Sequence, residues 1–217
     1  MNKFIIPGLP NLHNLDLSHN LISEIDGDAF KFLHNLRELN LHKNKVADIS
    51  DWTSPLLNLR VLDISQNALV HLSTPVNLHN LQVLNLSDNL LVDIDRDTLS
   101  RQTTLRTLDV SYNKLVRFPR VPSLRDLNMS GNSIRTLNQH SLQGLSSLHS
   151  LYLEKMKFLP SVEPLAFIDC HNLTVLSLSK NPKLAPLPPQ IFQTTPQLAT
   201  LDISHLPWTS LSSDQVN

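Results

Sequence analysis

Ten histidines, a single cysteine and nineteen carboxylates are the side chains in this chain that could do acid-base, nucleophilic or metal chemistry. A metal site needs three or four of them converging on one ion. His34, His79 and His171 occupy one equivalent position in non-adjacent copies of a sequence repeat, so strand spacings of about 4.8 Å hold them some 10 Å or more apart. His19 and His42, in adjacent copies, make the best pair, and two ligands do not make a metal centre. No Ser/His/Asp order, glycine-rich phosphate loop or metalloprotease motif occurs. Cys170 stands where other copies carry Leu33, Leu56, Leu78 and Leu145, which marks it as a small buried hydrophobe. One cysteine also excludes an internal disulfide framework. The chemistry expected is therefore recognition, with no catalysis, metal or cofactor.

The elements that position these residues are set by a repeat. L-x-x-L-x-L-x-x-N-x-L returns at intervals of 19 to 25 residues, beginning at Leu12, Leu36, Leu59, Leu81, Leu105, Leu124, Leu148, Leu173 and Leu198. Nine frames cover residues 1–217 as a single array. Around L-x-L the period is two, so Leu84 and Leu86 share a buried side while Val83, Asn85 and Ser87 face the other way, which predicts short strands stacked in parallel. Asn20, Asn44, Asn67, Asn89, Asn113, Asn132 and Asn181 close each strand, and inward amides there would satisfy backbone groups that the bend leaves unpaired. Met156 and Leu206 stand in place of Asn, so this ladder is expected to weaken toward the C-terminus. Prolines 55, 75, 119, 122, 160, 164, 186, 188 and 189 all fall in the return segments, which excludes long helices there. Short 3-10 or extended pieces are expected, with one-turn helices near Asp28 to Phe32 and Ser141 to Leu145.

Nine registered copies of this pattern resemble the leucine-rich repeat family. The resemblance implies an α/β solenoid, or horseshoe, with a curved parallel sheet on its concave face and few short helices on its convex face. Ile25/Phe30/Leu33, Leu137/Leu142/Leu145 and Val162/Phe167/Cys170 are similar to the 24-residue units of animal cell-surface receptors and adhesion proteins such as Toll, Slit and capricious/tartan. Phe118-Pro119 and Leu187-Pro188 resemble the shorter units of intracellular scaffolds. The expectation is a receptor or adhesion ectodomain segment on the extracellular side of the plasma membrane, and the alternative is a cytoplasmic adaptor that binds a signalling protein. The cysteine-rich caps usual in extracellular members are absent, which suggests part of a longer array. Phe4, Ile6 and Leu9 at one end, with Leu201 and Ile203 at the other, would then favour homo-association.

Eighteen basic against nineteen acidic residues leave a net charge of -1, which gives no overall field for nucleic acid. No run of about 18 apolar residues offers membrane contact. The partner is therefore expected to be a protein ligand or receptor. Between the two inner leucines runs an exposed row, Asp16, Asn40, Asp63, Asn85, Asp109, Asn128, Tyr152, Ser177 and Asp202, with Arg37, Arg60, Arg106 and Arg125 at the strand entrance. Tyr112 and Tyr152 replace small polar residues, and Arg106, Asp109, Arg125, Asp126 and Glu154 lie near them in sequence. Tyr and Arg dominate protein-protein hot spots, so these seven residues form the candidate ligand contact. Asn85, Asn128 and Asn172 each open a glycosylation signal, about the number chance would supply.

Overall fold

The computed structural model describes residues 8–49, 52–72, 78–95, 97–99 and 102–210. Its strands are β1 (Asn14–Asp16), β2 (Glu38–Asn40), β3 (Val61–Asp63), β4 (His71–Leu72), β5 (Val83–Asn85), β6 (Asp93–Ile94), β7 (Thr107–Asp109), β8 (Asp126–Asn128), β9 (Ser150–Tyr152), β10 (Val175–Ser177) and β11 (Thr200–Asp202), with one helix, α1 (Gln190–Thr194). Nine of them form a parallel sheet in chain order, β1-β2-β3-β5-β7-β8-β9-β10-β11, while β4 pairs with β6 in a second, two-stranded sheet on the return side. The register repeats without slippage, Leu15 opposite Leu39, Leu39 opposite Leu62 and so on to Leu176 opposite Leu201. A one-residue slip would turn every one of these leucines to solvent, and that cost fixes the register.

Leu39, Leu62, Leu84, Leu108, Leu127, Leu151 and Leu176 are buried, and the return segments close over them with Phe30, Trp52, Leu142 and Phe167. Each such side chain contributes roughly 1.5 to 3 kcal/mol. Leu15, Leu17, Leu201 and Ile203 are only half-buried in the outer strands, and Leu9 is exposed. Phe4, Ile6 and Pro75 lie outside the described residues.

The convex side departs from the sequence reading in two places. Asp28 to Phe32 and Ser141 to Leu145 form turns rather than helices, with single bonds such as Leu33 N–H to the Phe30 carbonyl at 2.9 Å and Leu145 N–H to the Leu142 carbonyl at 3.1 Å. The five-residue helix lies instead at α1, directly after Pro188-Pro189. Pro189 at φ -55° is already set for a helical first turn and has no N–H to lose there.

Candidate binding surface

Four polar rows run across the array, and they decide which side chains are left for a ligand. The first is the asparagine ladder. Asn113 Nδ2 donates to the carbonyls of Leu86 (2.9 Å), Val110 (3.1 Å) and Ser111 (3.2 Å), while its Oδ1 accepts the Leu91 N–H at 2.9 Å. Leu86 and Leu91 belong to the preceding repeat, so each rung ties two copies together. Asn44, Asn67, Asn89 and Asn132 do the same. Asn20 does not, because it is exposed and donates only within its own loop, to Leu17 and Ser18. Toward the C-terminus the ladder thins, with Met156 and Leu206 in place of Asn, but it does not end at the first gap: it resumes at fully buried Asn181, which donates to Leu153 and Leu178 and accepts the Met156 N–H.

The second row lies at the strand entrance and was missed from sequence. Asn35, Asn58, Asn80 and Asn172 each donate a side-chain N–H to a carbonyl of the preceding repeat at 2.7 to 2.9 Å. Thr104 and Ser123 do so with their hydroxyls. Beside it stand Arg37, Arg60, Arg106 and Arg125. The Arg106 guanidinium is held by the carbonyls of Thr103 and Ser123.

The third row is the Asx row, half-buried except at exposed Asp16, and it is structural rather than merely solvated. Asp16, Asn40, Asp63, Asn85, Asp109, Asn128 and Asp202 each accept the backbone N–H two residues on, at 2.8 to 3.1 Å. This Asx turn ends the strand. The Ser18 and Ser204 contacts hold the Asp16 and Asp202 carboxyls below the usual carboxylate range. Asn85 Nδ2 donates sideways to Asp63 at 3.1 Å, and Asn128 Nδ2 to Asp109 at 3.0 Å. A serine two residues after the Asx, as in Asp63-Ser65, Asn85-Ser87, Asp109-Ser111 and Asn128-Ser130, was the available signal. The glycosylation signals at Asn85 and Asn128 are this same turn motif; the one at exposed Asn172 is not.

The fourth row is the bend before the ladder, where His19, Lys43, Gln66, Asp88, Tyr112, Lys155, Lys180 and His205 all adopt φ between 52° and 59°. A side chain in this left-handed region costs about 1 to 2 kcal/mol. Each of these bends except the last, at His205, is held by a bond to the next copy, as with Tyr112 N–H to the Ser130 carbonyl at 2.7 Å. Only one repeat has glycine here, Gly131 at φ 72°. A Cβ on it would lie 2.8 Å from the Tyr112 ring, so the glycine lets the phenol cross a whole repeat. The Tyr112 hydroxyl accepts from Lys155 Nζ at 2.7 Å, with the ammonium 5.1 Å from the ring centroid, and this raises the Lys155 pKa.

The seven candidate contact residues are therefore spread over three places. Tyr152 sits on the sheet face, in register with Asn128 and Ser177. Beside it are Asp126, one residue before Leu127 on β8, and Glu154, whose Oε1 accepts the Ser177 hydroxyl at 2.9 Å. Arg106 and Arg125 lie at the strand entrance. Tyr112 belongs to the bend at the other end of the strand, not to the concave face, and Asp109 is committed to Ser111 and Asn128. Tyr152 cannot cap as its Asx neighbours do, and the N–H two residues on, at Glu154, bonds instead to Ser130 Oγ at 3.1 Å. The His19 and His42 rings meet edge to face at 5.2 Å, and His42 Nδ1 lies 2.7 Å from Ser65 Oγ. Cys170 is fully buried, and its thiol is pushed up to about 12 by burial and then by the Asp169 charge.

Parallel three-residue strands, an inward asparagine in most turns and an open face of short polar residues define a leucine-rich-repeat solenoid. The chain belongs to the leucine rich repeat family, whose sequence profile matches residues 10–69, 58–115 and 117–158. It is 34% identical over 211 residues to Tsukushi of Mus musculus, covering 91% of this chain and 58% of that protein. To Toll-like receptor 9 of Mus musculus it is 30% identical over 203 residues, covering 90% of this chain and 16% of the receptor. The crystal structure of the TLR13-ssRNA13 complex superposes with a TM-score of 0.78 at 28% identity, over 95% of this chain and 35% of that one. The chain thus spans about three fifths of the Tsukushi length and a much smaller part of the receptors. These relatives are extracellular or receptor proteins, which supports a role in protein interaction.

Proposed function

We propose that this chain is the recognition segment of a secreted or cell-surface protein and holds a protein ligand on the concave sheet across β8 to β10, with Tyr152 as the central contact. The observation that supports it most is the break at Tyr152 in the Asx row. Seven positions of that row spend their side chains on capping a strand, whereas position 152 carries an aromatic ring, 36% exposed, and leaves its capping task to Ser130. Asp126, on the neighbouring strand β8, and Glu154 give it a charged rim, the arrangement in which an aromatic anchor carries most of an interface's energy. The extracellular and receptor relatives support an external location and a non-catalytic role.

The test is Tyr152→Asn, which removes the ring and restores the residue type that caps elsewhere. Wild-type and variant full-length protein are screened against an array of secreted and cell-surface ectodomains. Wild-type partners should bind the variant at least about tenfold more weakly, with a melting temperature unchanged or higher. Undiminished binding to every partner would refute the assignment.

A further inference from the structure

The net charge of -1 hides a segregation. Residues 112–184 hold nine basic and four acidic side chains, and the rest of the chain nine basic and fifteen acidic. Six of the nine, Lys114, Arg135, Lys155, Lys157, Lys180 and Lys183, fall in the bend segments around the ladder position of four consecutive repeats. All six are exposed residues. Backbone bonds between successive bends, such as Ser133 N–H to Leu115 and Lys155 N–H to Ser179, keep them in file. Among the described residues none of the six is in an ion pair; the pairs present are Lys31 with Asp28 and Arg117 with Asp93. Their hydrogen-bond and ring partners are neutral, Lys155 meeting Tyr112 while Arg135 and Lys183 lie 4.9 and 5.9 Å from the Phe158 ring centroid; the carboxylate charge felt among them is that of Glu154 on Lys155.

We propose that this ridge is a second binding surface, separate from the concave sheet, and that it takes a linear sulfated polysaccharide. Six unpaired cations in a row about three repeat intervals long, near 15 Å at about 5 Å each, fit a polymer that carries an anion at regular steps. They would bind it by releasing its counterions. Five of the six are lysines, compact charges suited to isolated sulfates rather than planar bidentate recognition. Single-stranded nucleic acid asks in addition for open aromatic platforms on which bases stack. Here both exposed rings, Tyr112 and Phe158, are already approached by cations.

The experiment measures binding of the full-length protein to size-defined heparin oligosaccharides at physiological ionic strength, with polyglutamate and single-stranded oligo-dT as comparison polyanions. The wild type should prefer heparin. Lys114→Ala/Arg135→Ala/Lys157→Ala/Lys183→Ala should weaken it by about tenfold or more and flatten its salt dependence. Arg37→Ala/Lys43→Ala/Lys45→Ala/Arg60→Ala, which removes four charges from the first three repeats, should weaken it far less. Tyr152→Ala should leave heparin binding unchanged while removing the protein ligand, so the two surfaces fail separately. Thermal melts of each variant establish folding; if the ridge quadruple is unfolded, pairwise Lys157→Ala/Lys183→Ala replaces it. Equal losses in the two quadruples would overturn the ridge, as would absence of heparin binding. Equal or tighter binding of oligo-dT or polyglutamate would overturn the assignment to a sulfated sugar.

Discussion

Replacing Asn113 by alanine tests whether the ladder holds the array together. Its amide serves three carbonyls and one N–H, and the side chain is 6% exposed, so water cannot take over when it is removed. Two of those groups, the Leu91 N–H and the Leu86 carbonyl, belong to the preceding repeat. Leaving a buried group unsatisfied costs about 1 to 3 kcal/mol, so the pair predicts a loss of about 2 to 6 kcal/mol. Asn20→Ala is the internal control, the same residue at the same motif position but exposed and bonded only locally, and it should cost about 0.5 kcal/mol. Asn113→Asp adds a second reading. A carboxylate facing buried carbonyls has its folded pKa raised, so that variant should be least impaired below the ordinary aspartate range near pH 4 and lose stability as pH rises. Urea unfolding followed by circular dichroism gives all three values. Similar small losses for Asn113→Ala and Asn20→Ala would refute the reasoning.

Gly131→Ala should destabilise by about 1 to 3 kcal/mol through its left-handed φ and the Tyr112 ring. Tyr112→Ala in the same chain should restore only the steric part, which a double-mutant cycle reads directly. Because the Cys170 thiol is raised from 9.0 to about 12 in the folded protein, it stays protonated where the unfolded thiol ionises. Stability is therefore unaffected by it below pH 9 and falls as pH rises toward 12; Cys170→Ala should remove that component of the pH profile, and iodoacetamide at pH 8 should label Cys170 only in denaturant. Of the three glycosylation signals, expression in a secreting eukaryotic cell should leave sugar on Asn172 alone. Asn172 is exposed and its amide has one bond, to the Ser146 carbonyl, whereas Asn85 and Asn128 are half-buried and use both ends of the amide, on Ser87 and Asp63 and on Ser130 and Asp109; peptide mass spectrometry separates the three.

The leucine spacing was enough to read the strands, their order and the inward asparagines, because burial on one side of a two-residue period leaves its mark in residue type. Functions borne by short polar residues were not separable that way. Asp63 and Asp109 look solvated in sequence, yet each holds a strand end, and the serine two residues later was the unread signal. Tyr112 and Tyr152 group together in the sequence because both replace small polar residues. Four positions past Leu108 in one case and one past Leu151 in the other put them on different sides of a bend. The Tyr112 to Lys155 contact joins residues 43 apart, and it depends on the lack of a side chain at Gly131, which no periodicity announces. Proline read as a helix breaker misplaced α1, since the same ring favours the first turn.

The gap at Met156 gives the solenoid a mechanical grain. Every other seam from the first repeat to the eighth is stitched by an asparagine rung, so stiffness is shared along the array; between the sixth and seventh repeats the rung is missing. In the rung's place, the side-chain bonds that cross that seam are the half-buried one of Glu154 N–H on Ser130 and the exposed one of Tyr112 reaching over Gly131 to Lys155. With one buried tie fewer than its neighbours, this seam is where bending under load should concentrate, directly beside Tyr152. A rod-like polymer laid along the lysine ridge would act as a splint across the joint, stiffening the curvature against which a protein ligand is read.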